Sequence, residues 1–195
     1  YGVKTINVLT GFKFIGEKIG ALEAQGKEKS FIFGFEESCG YLSGTYVRDK
    51  DAVNGSLLIC EMYSFYAGQG ISLVDKLCEL YNLYGVYINT QYSYDFPGRM
   101  GLEHIQNIMK RLRENTISIG EEEIETLKDY EKGIEGLPKS NVLKIILKNG
   151  SSIIIRPSGT EPKLKVYISV TAQNQEKAKK LEQNIKEDIR KILCV

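Results

Sequence analysis

The sequence predicts an α/β protein in two parts: a layered α/β domain, then a small α+β domain with an antiparallel sheet and a C-terminal helix. Three observations predict it. In the first part, short strand-like apolar runs alternate with helically spaced ones, the pattern of an α/β layer domain. After Asn115 the composition shifts to the acidic Glu121-Glu122-Glu123 and then to Gly133, Gly136 and Pro138. Beyond that stretch, Asn149-Gly150 sits between two apolar runs, a strong hairpin signal. The expected division is therefore residues 1–115, a linker or hinge over 116–140, and residues 141–195.

Taken in order, Thr5-Ile6-Asn7-Val8-Leu9 is rich in β-branched residues and reads as a strand. Thr10 can cap a helix whose Phe12, Ile15, Ile19 and Leu22 recur at helical spacing, with Gly26 ending it. Phe31 to Phe35 reads as a short buried strand leading into a polar loop from Glu36 to Asp51. Residues 52 to 66 form a helix apolar on most sides and hence buried, and Ser72 caps another with Leu73, Leu77 and Leu80 on one stripe. Val86 to Phe96 is strand-like and stops at Pro97-Gly98. A helix from about Leu102 to Arg113 turns Ile105, Ile108, Met109 and Leu112 inward. In the last part, Val142 to Lys148 and Ser151 to Ile155 flank the hairpin turn. Leu164, Val166, Ile168 and Val170 alternate with polar residues, and Ala178, Leu181, Ile185, Ile189 and Ile192 stripe a final amphipathic helix.

The chain has 195 residues, 42% of them hydrophobic and 26% charged, which is enough apolar material for a core and excludes disorder. Lys and Arg number 26 against 25 Asp and Glu, so there is no long-range field. Any bound anion must be held by local geometry, and nucleic acid is disfavoured as a partner. Cys39, Cys60, Cys78 and Cys194 are widely spaced and form no Cys-x-x-Cys pair, which reads as reduced thiols in a cytoplasmic protein. No apolar run approaches the ~20 residues that span a bilayer, so no membrane partner is expected. The sequence opens on Tyr1 without a methionine, which points to a fragment or a processed product.

Four stretches carry candidate chemistry. Arg156-Pro157-Ser158-Gly159-Thr160-Glu161-Pro162-Lys163 interrupts two strands and has the makings of a phosphate cradle. Its guanidinium is a planar fork, Ser158 and Thr160 offer hydroxyls, and Gly159 admits close backbone approach. The alternative is a tight turn whose arginine pairs with a nearby carboxylate. Gly34-Phe35-Glu36-Glu37-Ser38-Cys39-Gly40-Tyr41 follows an apolar strand, where open α/β sheets bind ligands. If the loop is extended, Glu36 and Ser38 point to one side and can address vicinal sugar hydroxyls; the alternative is a solvated acidic loop. Arg48-Asp49-Lys50-Asp51 is either a capping cluster with Asp51 at the N-cap or a lysine set to meet a phosphate or move a proton. Thr10-Gly11-Phe12-Lys13 lies at a helix N-terminus. The lone His104 has no partner that suggests a metal or a triad.

These four stretches, in this order, resemble the α-D-phosphohexomutase superfamily, and in particular its bacterial phosphoglucomutase/phosphomannomutase branch. The resemblance covers almost the whole chain. It implies most of the family's third domain, shortened at its N-terminal side, followed by its fourth. In that family Glu36 and Ser38 would read ring hydroxyls, and Thr10 and Gly11 would form another substrate-contacting turn. Lys50 would reach substrate and assist proton transfer, and Arg156, Ser158, Gly159 and Thr160 would grip the phosphate that is not reacting. The implied reaction interconverts hexose 1-phosphate and hexose 6-phosphate through a phosphoserine, Mg²⁺ and a hexose bisphosphate. Neither a Ser-His-Asn-Pro-type loop nor an Asp-Gly-Asp-x-Asp-Arg metal loop occurs in the 195 residues. The expectation is an inactive piece that works with further N-terminal domains of one chain and takes sugar phosphates. The competing reading is a stand-alone phosphosugar-binding or regulatory module.

Overall fold

The computed structural model describes residues 2–114 and 117–194, so residues 115 and 116, where the first boundary was expected, lie outside the described residues. The chain divides into two units after Leu77.

In the first unit, α1 (Phe12–Glu23) begins on Gly11, with no side-chain hydrogen bond at its cap, so Thr10 does not cap it. Phe12, Ile19 and Leu42 form a small core with Ile15 and Phe31 packed on it. The expected strand Thr5–Leu9 is irregular backbone. The run Phe31–Phe35 pairs only over β1 (Gly34–Phe35), antiparallel to β2 (Tyr41–Leu42). Ile32, Phe33 and Phe35 stay 60%, 45% and 65% exposed, against the buried strand expected. An apolar run is buried only where neighbouring strands and helices cover it, and a two-stranded ladder supplies neither.

Asp51 opens α2 (Ala52–Ala67) as expected, accepting the N–H groups of Val53 and Asn54 at 2.9 and 3.0 Å. The helix itself departs from expectation. Only Gly55 is buried, and Val53, Leu57 and Phe65 are 81%, 57% and 65% exposed. Ser72 caps α3 (Leu73–Tyr84): its Oγ accepts the Asp75 N–H at 3.0 Å while donating to the Asp75 carboxylate at 2.6 Å.

The second unit is a five-stranded antiparallel sheet with two helices. Its strands are β3 (Val86–Asp95), β4 (Ile124–Asp129), β5 (Leu143–Leu147), β6 (Ser152–Pro157) and β7 (Lys163–Ala172), in the order β3-β7-β6-β5-β4. Gly150, at φ +86°, makes the β5–β6 turn, where a side chain would be strained. Alternation sends Leu143, Ile145, Ile153, Ile155, Leu164, Val166 and Ile168 to one face. There they share a core with Ile105, Ile108, Met109 and Leu112 of α4 (Arg99–Glu114) and Ile185 and Ile189 of α5 (Gln175–Leu193). Glu182 of α5 is buried as well, accepting the hydroxyls of Thr90 and Tyr92 at 2.7 Å each.

The expected division of the chain differs from this arrangement. β3 was read into the first domain, yet it pairs with β7 from Val86↔Ala172 to Asp95↔Lys163, and α4 packs in the same core. The stretch read as linker contains β4, an edge strand paired with β5. Edge strands carry charged residues and irregularities that discourage further pairing, so their composition imitates a linker's. Among the described residues no helix is long and apolar enough to cross a membrane.

Candidate functional site

The first unit gathers three of the sequence stretches. β1 and β2 form a hairpin whose tip runs from Glu36 to Gly40, closed by the Glu36 N–H donating to the Gly40 carbonyl at 2.9 Å. The tip turns at residues 37 and 38, so Glu36 and Ser38 are not successive same-face residues of an extended loop. Ser38 is exposed, whereas the Glu36 side chain is only 12% exposed and its carboxylate lies 3.8 Å from the Lys50 ammonium. Gly40 packs closely beneath this pair: a Cβ there would stand 2.8 Å from Lys50 Cδ and 3.0 Å from Glu36 Oε2, so either side chain would have to shift. Lys50 also meets Asp49 at 3.3 Å and lies 5.7 Å from the centre of the Phe12 ring, at the first residue of α1. Thr10, exposed, and Gly11, at φ +121°, therefore adjoin the residue that Lys50 covers.

The cluster Arg48-Asp49-Lys50-Asp51 splits into two jobs. Arg48 ties the loop to α1 through Glu23 at 2.6 Å, and Asp51 caps α2. The Tyr46 hydroxyl, 2.6 Å from Asp51, and the helix N–H groups hold the Asp51 carboxyl below the usual range. The Lys50 N–H and ammonium do the same for Asp49. Lys50 is left as the cation of the loop, its side chain 53% exposed beside Glu36. The capping role falls to Asp51, and Lys50 remains a half-exposed cation beside Glu36.

In the second unit Arg156 lies near the end of β6, and Ser158 to Pro162 lead into β7. The Ser158 N–H donates to the Lys163 carbonyl at 2.8 Å and the Lys163 N–H to the Glu161 carbonyl at 2.8 Å, closing the loop on itself. Gly159 and Thr160 are exposed, and a Cβ on Gly159 would meet nothing, so the loop opens outward. The alternative of an arginine locked to a carboxylate is not what the structure holds. Among the described residues the Arg156 guanidinium donates to the Tyr167 hydroxyl, from Nε at 3.2 Å and Nη2 at 3.1 Å. Lys165 stands directly opposite Arg156 in the β6–β7 register. Like charges facing across a strand pair are unfavourable by themselves, and an anion between them reverses the sign. Lys163 is held by Glu161 at 3.1 Å and Asp95 at 3.6 Å, which raise its pKa.

Tyr167 and Lys165 were missed in the sequence. Both are the outward residues of the alternating β7 run, a signal that would have found them once the β6–β7 register was known. The His104 ring lies tilted against Phe96, centroids 5.2 Å apart, in keeping with a packing role. Among the described residues no group of three His, Cys, Asp or Glu side chains is placed to hold a metal ion.

Comparison with known proteins agrees with this arrangement. Residues 1–84 match the model of phosphoglucomutase/phosphomannomutase alpha/beta/alpha domain III, and residues 108–188 match that of the phosphoglucomutase/phosphomannomutase C-terminal domain. A phosphoglucomutase of Staphylococcus haemolyticus is 40% identical over 181 residues, 87% of this chain and 32% of the relative. One of Staphylococcus epidermidis is 37% identical over 186 residues, 89% of this chain and 33% of the relative. The chain thus spans about a third of the length of the curated relatives it matches. Among solved structures, the exocytosis-sensitive phosphoprotein pp63/parafusin (phosphoglucomutase) of Paramecium, in an open form, shares the fold. Its TM-score is 0.60 at 20% identity, over 94% of this chain and 32% of that one. An α/β unit with a hairpin loop and an antiparallel sheet with an outward arginine loop are thus matched, in order, by two consecutive models of one family. The chain belongs to the phosphoglucomutase/phosphomannomutase family, with sequence of its domain III and its C-terminal domain.

Proposed function

We propose that this chain is the substrate-gripping part of a phosphosugar mutase that interconverts hexose 1-phosphate and hexose 6-phosphate in the cytoplasm. The observation that carries the reading is Arg156, oriented by a phenol beside a loop whose Gly159 and Thr160 are exposed. Among the described residues Arg156 donates to a phenol and to no carboxylate, which leaves its charge for a ligand, and a phosphate monoester supplies about −1.5 to −2. Ser158, Thr160 and the backbone at Gly159 add neutral donors, so the grip is firm but releases its ligand.

The first unit's loop answers to the other half of the same class of ligand. Glu36 accepts from ring hydroxyls, and Ser38 donates or accepts at the hairpin tip. Thr10 and Gly11 bring the open N–H groups of α1, which carry no side-chain cap. Lys50, its ammonium 3.8 Å from the Glu36 carboxylate, is the residue proposed to pass a proton to a substrate oxygen. A phosphosugar carries both ring hydroxyls and a phosphate, so a hydroxyl-reading loop and a phosphate-gripping loop each answer to one of its parts. No step of this reading runs through a metal held by the described residues.

The reading is tested by titrating the chain with glucose 6-phosphate and mannose 6-phosphate, which differ at one hydroxyl. Arg156→Ala weakens both to the same degree, whereas Glu36→Gln changes their ratio. Equal losses for both sugars in both variants contradict the assignment.

A further inference from the structure

We infer that Tyr167 is a positioning residue for Arg156, holding the guanidinium in register for an anion without neutralising it. The inference rests on the phosphate reading above and adds the group that makes it work. Strand alternation places Arg156 and Tyr167 on one face of the sheet. The β6–β7 register pairs Arg156 with Lys165 and Ile154 with Tyr167, so arginine and tyrosine are diagonal neighbours. Diagonal residues of an antiparallel pair are within reach of aromatic and long side chains. The reach is used: Nε and Nη2 both donate to the phenol oxygen, at 3.2 and 3.1 Å, and the guanidinium carbon lies 5.7 Å from the ring centre.

Two other arginines show what a merely structural arrangement looks like in this chain. Arg48 donates to the Glu23 carboxylate at 2.6 Å, and Arg113 donates to Asp129 at 3.2 Å with Glu131 also at 3.2 Å. A carboxylate at Tyr167 would compete with any bound anion for the same fork. A phenol oxygen accepts two N–H groups, fixes the plane and leaves the net charge at +1. With Nε and one Nη2 proton committed, the Nη1 pair and the second Nη2 proton make up the edge offered to phosphate. Lys165, opposite Arg156, adds positive charge on the same face.

The test uses inorganic phosphate and the whole chain, following the Arg156 Nε–Hε resonance by ¹⁵N NMR in wild type, Tyr167→Phe and Arg156→Ala. Tyr167→Phe keeps the ring and loses only the oxygen. The expected result is a displaced, faster-exchanging Nε–Hε signal and phosphate affinity lower by about 3- to 10-fold, with the unfolding midpoint unchanged. Wild-type affinity in Tyr167→Phe, with affinity lost in Arg156→Ala, overturns the inference and leaves the phosphate reading standing. Weaker binding with an unmoved Nε–Hε signal also overturns it. Equal phosphate binding by wild type and Arg156→Ala overturns the phosphate reading, and the inference with it.

Discussion

The second unit leaves Leu143, Ile145, Ile153, Ile155 and Leu164 at 0% exposure, while the first leaves Val53, Leu57 and Phe65 at 81%, 57% and 65%. The residue types are alike; the difference is the company they keep. In the second unit the inward residues of the central strands share one core with the apolar stripes of α4 and α5, so hydrophobicity becomes close packing. In the first, α2 is apolar nearly all round and the two-stranded ladder covers almost none of it. Apolar character states what a side chain gains if covered. It does not state that the cover is there. The two loops follow suit: the Arg156–Lys163 loop stands on a finished sheet, whereas the Glu36–Gly40 loop stands on a short hairpin beside Lys50 and the Arg48–Glu23 ion pair to α1.

The comparison is broken most readily at its strongest point. Ile155→Ala opens a cavity in a closed core and should cost about 2–5 kcal/mol in urea unfolding followed by circular dichroism. A loss below about 1 kcal/mol would mean the sheet is not packed as described. Asn174→Ala removes the side chain that accepts the Lys177 N–H at 2.9 Å and starts α5, and should cost about 1 kcal/mol by the same measurement.

A pH dependence sharpens the same contrast. Burial first, and then the hydrogen bond to Glu135, push the Tyr130 pKa from 10.0 to about 12. A folded-state pKa above the unfolded one favours the protonated native form. That stability is complete below pH 10 and is lost as pH rises from 10 towards about 12. Stability against pH should therefore decline over that window, and Tyr130→Phe should remove this contribution to the decline. The smallest effect belongs to Leu57→Ala on α2, expected within about 0.5 kcal/mol because its side chain is 57% exposed. A large loss there would show that α2 is covered in solution.

Legibility in the sequence tracks the same divide. The Asn149-Gly150 hairpin, the β7 alternation and the α5 stripe were readable because each face of the second unit is decided by local period. Glu182 was not, since a carboxylate on a helix reads as surface until Thr90 and Tyr92, far away in sequence, supply its donors. The strand expected at Thr5–Leu9 and the burial expected of Phe31–Phe35 failed because pairing and cover depend on neighbours that a local pattern does not name. The residues proposed for the site were found through their types and order. What local pattern could not supply was their geometry: the turn that separates Glu36 from Ser38, and the phenol that holds Arg156.

The central claim is that Arg156 serves an anionic ligand and not the fold. Titration of wild type and Arg156→Ala with glucose 6-phosphate, alongside the thermal midpoint of each, tests it most directly. The account predicts affinity lower by about tenfold or more in the variant, with the midpoint unchanged. Unchanged affinity, or a midpoint that falls with it, would return Arg156 to a structural role.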